Sequence, residues 1–279
     1  SLFNQQLRAV LNWARAVKPM LKAWSGTRAM QVAAIVEESI DCKSFYLLPE
    51  DGRPLARFEP GQYLTFELPV STEQRPLVRC YSLSDRPRED YYRVTIKQIR
   101  TPTDNPALPP GQGSSYFHNQ IEVGSQLDVR APQGAFFLDP RNEAPVVLIG
   151  GGIGVTPVMS MINSIVHDRK QRQVYLFTGF RNSREHSFAE SMRELCTRHD
   201  HIKLDVSYSR PMPGDRGGRD YDHRGHVDLP RLREVLPSNN FRFYLCGPPA
   251  MMEALVPALL DWGVPDDHIY FEAFGPASV

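Results

Sequence analysis

The feature that most constrains the fold is a change of hydrophobic pattern near Asp139 to Glu143. Before it, short alternating runs rich in β-branched and aromatic residues are separated by turns containing Pro and Gly, which is typical of an antiparallel barrel. After it, strand-like apolar runs alternate with helix-length segments, which is typical of a parallel sheet covered by helices. With 279 residues, the chain is long enough for both. We therefore predict a β-barrel followed by an α/β domain.

The two patterns give definite predicted elements. The barrel strands are predicted at Met30–Val36, Ser44–Leu48, Tyr63–Leu68, Arg79–Leu83, Tyr92–Ile99 and Gln126–Arg130. The α/β strands are predicted at Val146–Gly150, Gln173–Gly179, Ile202–Tyr208, Phe241–Cys246 and Ile269–Glu272. Helices are predicted at Pro157–His167, Ser183–His199, Pro230–Val235 and Pro249–Trp262, and Gly214–Arg224 is predicted as a polar loop. The predicted domain limits are residues 1–28, 29–140 and 141–279.

Residues 1–28 are predicted to form an appended amphipathic helix or linker. Apolar side chains recur at helical spacing from Leu7 to Trp24, and Pro19 is expected to kink the helix. The charged residues before Glu37 are all basic, so the polar face is cationic. We favour a linker packed on the rest of the chain, and a surface that contacts a membrane or an acidic partner domain is the alternative.

Composition excludes several function classes. Lys+Arg and Asp+Glu are equal at 32 each, so no overall positive field attracts nucleic acid. The longest apolar runs fall far short of the roughly 18 residues needed to cross a bilayer. No CxxC spacing occurs, which argues against a metal site and a disulfide framework and favours the cytoplasm. The cysteines are Cys42, Cys80, Cys196 and Cys246.

A glycine-rich segment, Gly150–Pro157, lies where a predicted strand turns into a predicted helix. Glycines let a phosphate approach the backbone, and the start of the helix supplies free N–H groups and a positive dipole end. The segment lacks the Lys-Ser/Thr pair of a P-loop and the GxGxxG order of an ordinary dinucleotide fold. Phosphate binding is the favoured interpretation, and tight packing is the alternative.

Two further segments in the predicted barrel also suit a phosphate. Arg79 and Tyr81 lie on one face of a strand, which places a guanidinium beside an aromatic ring. Gly111–Tyr116 is predicted to open a short helix with Ser114 as its cap. Cys80 lies on the opposite face from Arg79, and we expect it to be packed inside the barrel.

Four motifs in order resemble those of the ferredoxin–NADP reductase superfamily, in particular the bacterial oxygenase reductases. Arg79–Ser82 is similar to its RxYS flavin motif, and Gly150–Pro157 is similar to its GGxGxTP loop. Tyr244–Pro249 and Phe271–Pro276 match two later motifs. The resemblance covers about residues 30–279 and implies a flavin-binding barrel followed by an NAD(P)-binding domain.

The resemblance also implies roles for individual residues around the flavin. Arg79 is expected to bind the flavin pyrophosphate, Tyr81 to stack beside the isoalloxazine, and Ser82 to form a hydrogen bond near N5. Other residues are expected to lie along the rest of the flavin. These are Gly113, Ser114 and Ser115 at the phosphates, and Ile96 and Lys97 at the adenosine.

In the second domain the resemblance implies a nicotinamide site. Residues that are expected to hold the NAD(P)H pyrophosphate are Gly151, Gly152, Gly154 and Thr156. Cys246 is expected beside the nicotinamide. Glu272 and Phe274 are expected to approach the flavin for proton relay and ring placement. Ser82, Cys246 and Glu272 are thus the predicted catalytic residues.

The choice between nicotinamide nucleotides rests on the loops after the second and third α/β strands. No carboxylate follows the second strand directly to bind a ribose 2′-hydroxyl. Arg181 or Arg184, together with Ser209 and Arg210, can meet a 2′-phosphate, which favours NADPH over NADH. Ser114 to Tyr116 favours FAD over FMN.

We therefore predict an oxidoreductase that passes hydride from NAD(P)H to FAD and then single electrons onward. Family members ending in Phe-Gly-Pro-Ala often continue into a plant-type iron–sulfur domain, but this sequence has no C-x4-C-x2-C cluster motif and no globin-sized segment. The acceptor is expected to be an iron–sulfur or haem centre in another protein or domain. Two alternatives are a reductase of free flavin and an electron-transfer or regulatory subunit without turnover of its own.

Overall fold

The computed structural model describes residues 23–70, 75–169 and 171–275 and contains two six-stranded sheets. The strands of the first sheet are β1 (Thr27–Ser39), β2 (Cys42–Pro49), β3 (Tyr63–Leu68), β4 (Leu77–Ser82), β5 (Tyr92–Lys97) and β6 (Gln126–Gln133). The strands of the second are β7 (Val146–Gly151), β8 (Val174–Phe180), β9 (Ile202–Tyr208), β10 (His223–Arg224), β11 (Arg242–Gly247) and β12 (Ile269–Ala273). The helices are α1 (Gln112–Asn119), α2 (Val155–His167), α3 (Ala189–Arg198), α4 (Leu229–Val235) and α5 (Pro249–Asp261).

The first sheet is antiparallel and closes on itself. Its strand order is β4-β3-β6-β1-β2-β5. An antiparallel bridge between Leu83 and Val94 joins the two edge strands, and Ser84 N donates to Arg93 O at 2.8 Å. Alternate residues of the strands, such as Phe45 and Phe66, fill the interior. The predicted antiparallel barrel is confirmed.

The second sheet is parallel throughout, in the order β10-β9-β8-β7-β11-β12. Its central strand β7 is buried along its whole length, since helices cover both faces. One apolar cluster packs α2 and α3 against one face, and a second packs α4 and α5 against the other. The predicted α/β architecture is therefore also confirmed.

Two local predictions in the second sheet are wrong. The single helix predicted over Ser183–His199 is instead a 3-10 turn, Ser183–Glu185, followed by α3. The break lies at Phe188, whose φ of 62° belongs to the left-handed region and cannot continue a right-handed helix. The predicted loop Gly214–Arg224 contains β10, which adds two parallel residues to β9.

Most of the predicted N-terminal helix lies outside the described residues. Its last part, residues 23–27, is not helical, because Thr27 already begins β1. Trp24 Nε1 donates to Val129 O at 3.0 Å, so this segment is bound to the barrel. The predicted membrane contact falls outside the described ranges. Within them, no helix is long and apolar enough to cross a membrane.

Candidate functional site

Arg79 and Tyr81 lie on β4 directly against the start of α1. A Cβ at Gly113 would come within 2.8 Å of the Tyr81 hydroxyl and 2.9 Å of Arg79 Cγ. A larger residue there would force the side chain of Tyr81 or Arg79 to shift, so the glycine lets the helix start, the guanidinium side chain and the aromatic ring pack together. Tyr81 also packs edge-on against Phe66 and Phe117, and burial raises its pKa to about 12, so it is a neutral phenol.

The start of α1 is built differently from the prediction. The N-cap is Gly111, not Ser114. The Ser114 hydroxyl donates to Gly111 O at 3.1 Å and accepts from Ile99 N at 3.0 Å, so it fixes the preceding turn. Ser115 N donates to Gly111 O, whereas the N–H groups of the first helical residues have no acceptor within a helix. The backbone of Gln112 to Ser114 is therefore the part suited to an anion.

Ser82 is the last residue of β4 and lies in the buried part of the barrel. It is only 5% exposed and is paired with Tyr63 of the neighbouring strand β3. The pKa of Tyr63 is raised by burial, and further by Cys80 and by Glu272 at the end of β12. The carboxyl end of the parallel sheet therefore lies close enough to affect the electrostatics of the barrel site. Sequence reasoning missed Tyr63 as a site residue, although it begins β3 directly after the Pro60-Gly61-Gln62 turn.

Glu272 and Cys246 are neighbours across β11 and β12. Burial raises the pKa of Glu272 to about 7, and its Oε2 is buried without a hydrogen-bond partner. Cys246 is fully buried, and burial followed by the nearby Glu272 raises the pKa of its thiol well above the ordinary value. The pair is a carboxyl that can exchange a proton near neutral pH beside a thiol that keeps its proton.

The glycine-rich segment runs from the end of β7 through a 3-10 turn, Gly152–Gly154, into α2. A Cβ at Gly154 would lie 2.2 Å from the Cys246 carbonyl oxygen, so the loop is pressed against the end of β11. Gly152 has a φ of 53°, and a Cβ there would meet nothing within 4 Å. The segment thus has packed glycines and one open glycine beside a helix N-terminus. Thr156 donates to Ile153 O at 3.0 Å and tightens the turn.

A cavity of about 520 Å³ opens beside this loop. Gly151, Gly152 and Ile153 form one wall, and Pro248 with the first turns of α5 forms another. The far end is lined by residues that follow the carboxyl ends of β8 and β9, including Arg181 and Ser209. Ligands of open α/β sheets bind beyond the carboxyl ends of the strands, so this cavity is the expected place for a dinucleotide.

Other predicted site residues fall in three places. Lys97 lines the cavity of the second sheet and pairs with Asp41 at 3.1 Å and Glu185 at 3.4 Å. Ile96 is 1% exposed in the barrel core, so its side chain is not available to a ligand. Phe274 N donates to Gly247 O at 2.8 Å, which fixes the segment after β12 to the end of β11.

Arg181 and Ser209 line the cavity, whereas Arg210 and Arg184 are not among the described residues that line it. Arg210 N donates to Arg181 O at 2.8 Å, so the two loops are tied together. Sequence reasoning missed Glu185, which contacts Arg181 and lines the same cavity; the four-residue spacing of the pair was the available signal. Cys80 was expected inside the barrel but is exposed, since along β4 it lies on the outward face with Val78, opposite the face that carries Arg79 and Tyr81.

A barrel whose edge suits an anion, followed by a parallel sheet with a cavity beyond the carboxyl ends of its strands, is the arrangement expected of an oxidoreductase that uses a flavin and a nicotinamide nucleotide. The sequence comparisons agree with this. Residues 29–138 match the family described as Oxidoreductase FAD-binding domain, and residues 148–256 match Oxidoreductase NAD-binding domain. Together they confirm FAD and a nicotinamide nucleotide as the cofactors.

Individual proteins give the same result. The chain is 32% identical to the flavohem-like FAD/NAD-binding domain of nitric oxide dioxygenase from Vibrio cholerae, with a TM-score of 0.79. The match covers 90% of this chain and 100% of that one. It is 25% identical to the ferredoxin reductase in carbazole 1,9a-dioxygenase, with a TM-score of 0.75 over 92% of this chain and 71% of that one. The chain belongs to the ferredoxin–NADP reductase superfamily.

The chain is also similar to longer curated proteins. It is 37% identical over 254 residues to a flavohemoprotein of Halalkalibacterium halodurans, a match that covers 91% of this chain and 61% of the relative. It is 39% identical over 255 residues to a flavohemoprotein of Rhodopirellula baltica, covering 91% and 62%. The chain therefore spans about three fifths of the length of these relatives.

Proposed function

We propose that this chain transfers hydride from a nicotinamide nucleotide to FAD and then passes single electrons to a haem or iron–sulfur centre on another protein or domain. Residues 29–140 would form the flavin domain and residues 141–279 the nucleotide domain. The observation that carries the proposal is a direct connection between the barrel and the helix that follows the glycine-rich loop: Ser160 Oγ of α2 donates to Asp85 O, in the loop after β4, at 2.7 Å. In addition, Glu272 at the carboxyl end of the parallel sheet raises the pKa of Tyr63, which pairs with Ser82 in the barrel.

The barrel residues fit the phosphate and ring of FAD. Arg79 supplies a charged donor, and the free backbone N–H groups at the start of α1 supply further ones beside the close-packed Gly113. Tyr81 offers a neutral aromatic surface, since burial raises its pKa. The buried Ser82 hydroxyl, paired with Tyr63, suits a hydrogen bond at the edge of the ring. When bound, FAD supplies an acceptor for hydride that can release electrons singly.

The residues of the second sheet fit a dinucleotide. Gly151 and Gly152 expose backbone to the cavity, and α2 directs the positive end of its dipole to the same place. Hydride transfer depends on the distance and orientation of the two rings, so the main task of the protein is positioning and exclusion of water. The buried Cys246 thiol helps to exclude water without ionising.

Glu272 is suited to hold the proton that accompanies electron transfer. Burial raises its pKa to about 7, so near neutral pH it alternates between the protonated and charged forms. Its unpartnered Oε2 gives it an atom available to a donor or acceptor brought into the site. We propose it as the proton-exchanging group, with Phe274 positioning the ring.

Haem is the favoured acceptor. The relatives with 37% and 39% identity are flavohemoproteins, a name that combines flavin with haem, and the chain spans only part of their length. The ferredoxin reductase neighbour has 25% identity. The described residues hold no group of three or more His, Cys, Asp or Glu placed to bind a metal.

Anaerobic rapid mixing of the flavin-loaded chain with NADH or NADPH tests the proposal. We expect the protein-bound flavin to be reduced and then reoxidised by ferricyanide and by a haem protein such as cytochrome c, while metal analysis finds no iron. Glu194→Gln, in an exposed ion pair with Arg198 on α3, is a matched control that should behave like the wild type.

Other outcomes would overturn the proposal. Reduced flavin that leaves the protein and is recovered in the filtrate would indicate a reductase of free flavin. Absence of flavin reduction by either nucleotide would indicate a subunit without turnover. Stoichiometric iron would show that the cysteines were misinterpreted.

A further inference from the structure

The carboxylate of Glu185 lies at the cavity wall and forms ion pairs with two basic side chains. Its Oε2 lies 3.0 Å from Arg181 Nε and 3.4 Å from Lys97 Nζ. Lys97 Nζ also lies 3.1 Å from Asp41 Oδ2. Two basic and two acidic side chains therefore balance to no net charge. Arg181, Lys97 and Glu185 all line the dinucleotide cavity.

The turn that carries Glu185 is held from both sheets. Arg184 N donates to Asn182 Oδ1 at 3.1 Å, and the Arg184 carbonyl accepts from Ile40 N of the barrel at 3.0 Å. Ser183 donates through its hydroxyl and its backbone to Asp215. Because the backbone is fixed on both sides, the carboxylate is held in place, and its side chain is only 17% exposed.

This arrangement bears on the adenosine end of a nicotinamide nucleotide. NADH and NADPH differ only at the adenosine ribose, which carries a 2′-hydroxyl in one and a 2′-phosphate in the other. A carboxylate accepts a hydrogen bond from the hydroxyl but repels the phosphate, for which a free arginine is suited. Arg181, the cation expected to bind a 2′-phosphate, is already occupied by Glu185.

We propose that Glu185 is a specificity-determining residue that selects NADH over NADPH, by occupying Arg181 and Lys97 and by repelling a 2′-phosphate. The inference rests on the proposed dinucleotide site. It reverses the preference for NADPH that the arginines alone suggest, because Arg181 is neutralised and Arg210 does not belong to the described lining of the cavity.

Binding of two adenosine nucleotides to the flavin-loaded protein tests this without turnover. Adenosine 2′,5′-bisphosphate carries the 2′-phosphate and AMP does not, and both are measured by titration calorimetry. In the wild type we expect tighter binding of AMP. In Glu185→Gln we expect the affinity for the bisphosphate to rise about tenfold, which corresponds to about 1.4 kcal/mol, with no change for AMP. The double variant Glu185→Gln/Arg181→Gln should lose the gain, and Glu194→Gln should match the wild type.

The outcomes separate this inference from the proposed function. If both nucleotides bind but Glu185→Gln changes neither affinity, or changes both equally, Glu185 does not discriminate at the 2′ position of the ribose. If the wild type already prefers the bisphosphate, the inference is overturned without any variant, whatever the folding of Glu185→Gln. If neither nucleotide binds and NADH does not reduce the flavin, the dinucleotide site itself is misplaced.

Discussion

Replacing Gly154 by alanine tests whether the glycine-rich loop is set by backbone packing. Its φ of −60° and ψ of −8° are ordinary helical values, so alanine brings no backbone strain. The added Cβ would lie 2.2 Å from the Cys246 carbonyl oxygen, 2.4 Å from its carbonyl carbon and 2.6 Å from Gly247 N. All three are backbone atoms of β11 and its end, which cannot rotate out of the way.

The size of the effect follows from these distances. Carbon atoms in contact are about 3.5 Å apart, so the start of α2 must move by roughly 1 Å from the end of β11. Overpacking of a well-packed core costs about 1 to 3 kcal/mol, and we expect Gly154→Ala to reach the upper end or exceed it. Because a displacement of about 1 Å can slow a reaction by about a hundredfold, hydride transfer from the nucleotide should fall to a similar degree.

Two other glycines provide matched controls. Gly152 has open space but a φ of 53°, so Gly152→Ala should cost about 1 to 2 kcal/mol from backbone strain alone. Gly214 has open space and no such φ, so Gly214→Ala should stay within about 0.5 kcal/mol of the wild type. Urea unfolding with saturating FAD and rapid-mixing reduction kinetics measure both effects. A Gly154→Ala variant no less stable than Gly152→Ala, with normal reduction, would refute the packing argument.

Three further predictions concern residues of the two proposed binding regions. Arg79→Ala should weaken FAD binding by about ten- to a hundredfold, since a hydrogen bond to a charged group contributes roughly 1.5 to 3 kcal/mol. Retention of full flavin through dialysis would contradict this prediction, and Arg198→Ala is the surface control. Cys246→Ala should keep its flavin but reduce it more slowly in rapid mixing, and an unchanged rate would leave Cys246 a packing residue. Burial raises the pKa of Glu272 from 4.5 to about 7, so the folded state holds this proton more tightly than the unfolded chain and wild-type stability should fall as pH rises through this interval. Glu272→Gln should remove that slope, and an identical pH profile would count against the buried acid.

Both sheets can be predicted from the sequence because the pattern of apolar residues differs clearly between the two halves, and turn residues mark the ends of most strands. The predicted and observed bounds of β3, Tyr63–Leu68, are identical. The helix predicted over Ser183–His199 is wrong because its pattern is compatible with one helix, whereas tertiary contacts bury His186 beside Tyr208 and turn the chain at Phe188. No local signal marks β10, whose two residues pair only because β9 lies beside them.

The candidate site also has parts that the sequence predicts and parts that it does not. The glycine-rich loop and the Arg79–Ser82 strand can be recognised in the sequence because the residues that form each motif are consecutive. The ion pair of Lys97 with Glu185 and the electrostatic effect of Glu272 on Tyr63 join segments far apart in the chain, so they depend on how the sheets meet. Arg181 was therefore assigned to a phosphate from its type alone, when its neighbour determines what it can bind.

Contacts between the barrel and α2 explain how the two binding regions are kept at a fixed separation. Asp85, in the loop after β4, accepts through its carbonyl from Ser160 Oγ at 2.7 Å and through its carboxylate from Asn163 Nδ2 at 3.0 Å. Both partners lie on the helix whose first turn closes the glycine-rich loop. One helix therefore carries the glycine-rich loop at its start and binds the barrel near its middle. Since hydride transfer depends steeply on the distance between the two rings, this direct connection fixes the quantity on which the reaction depends most.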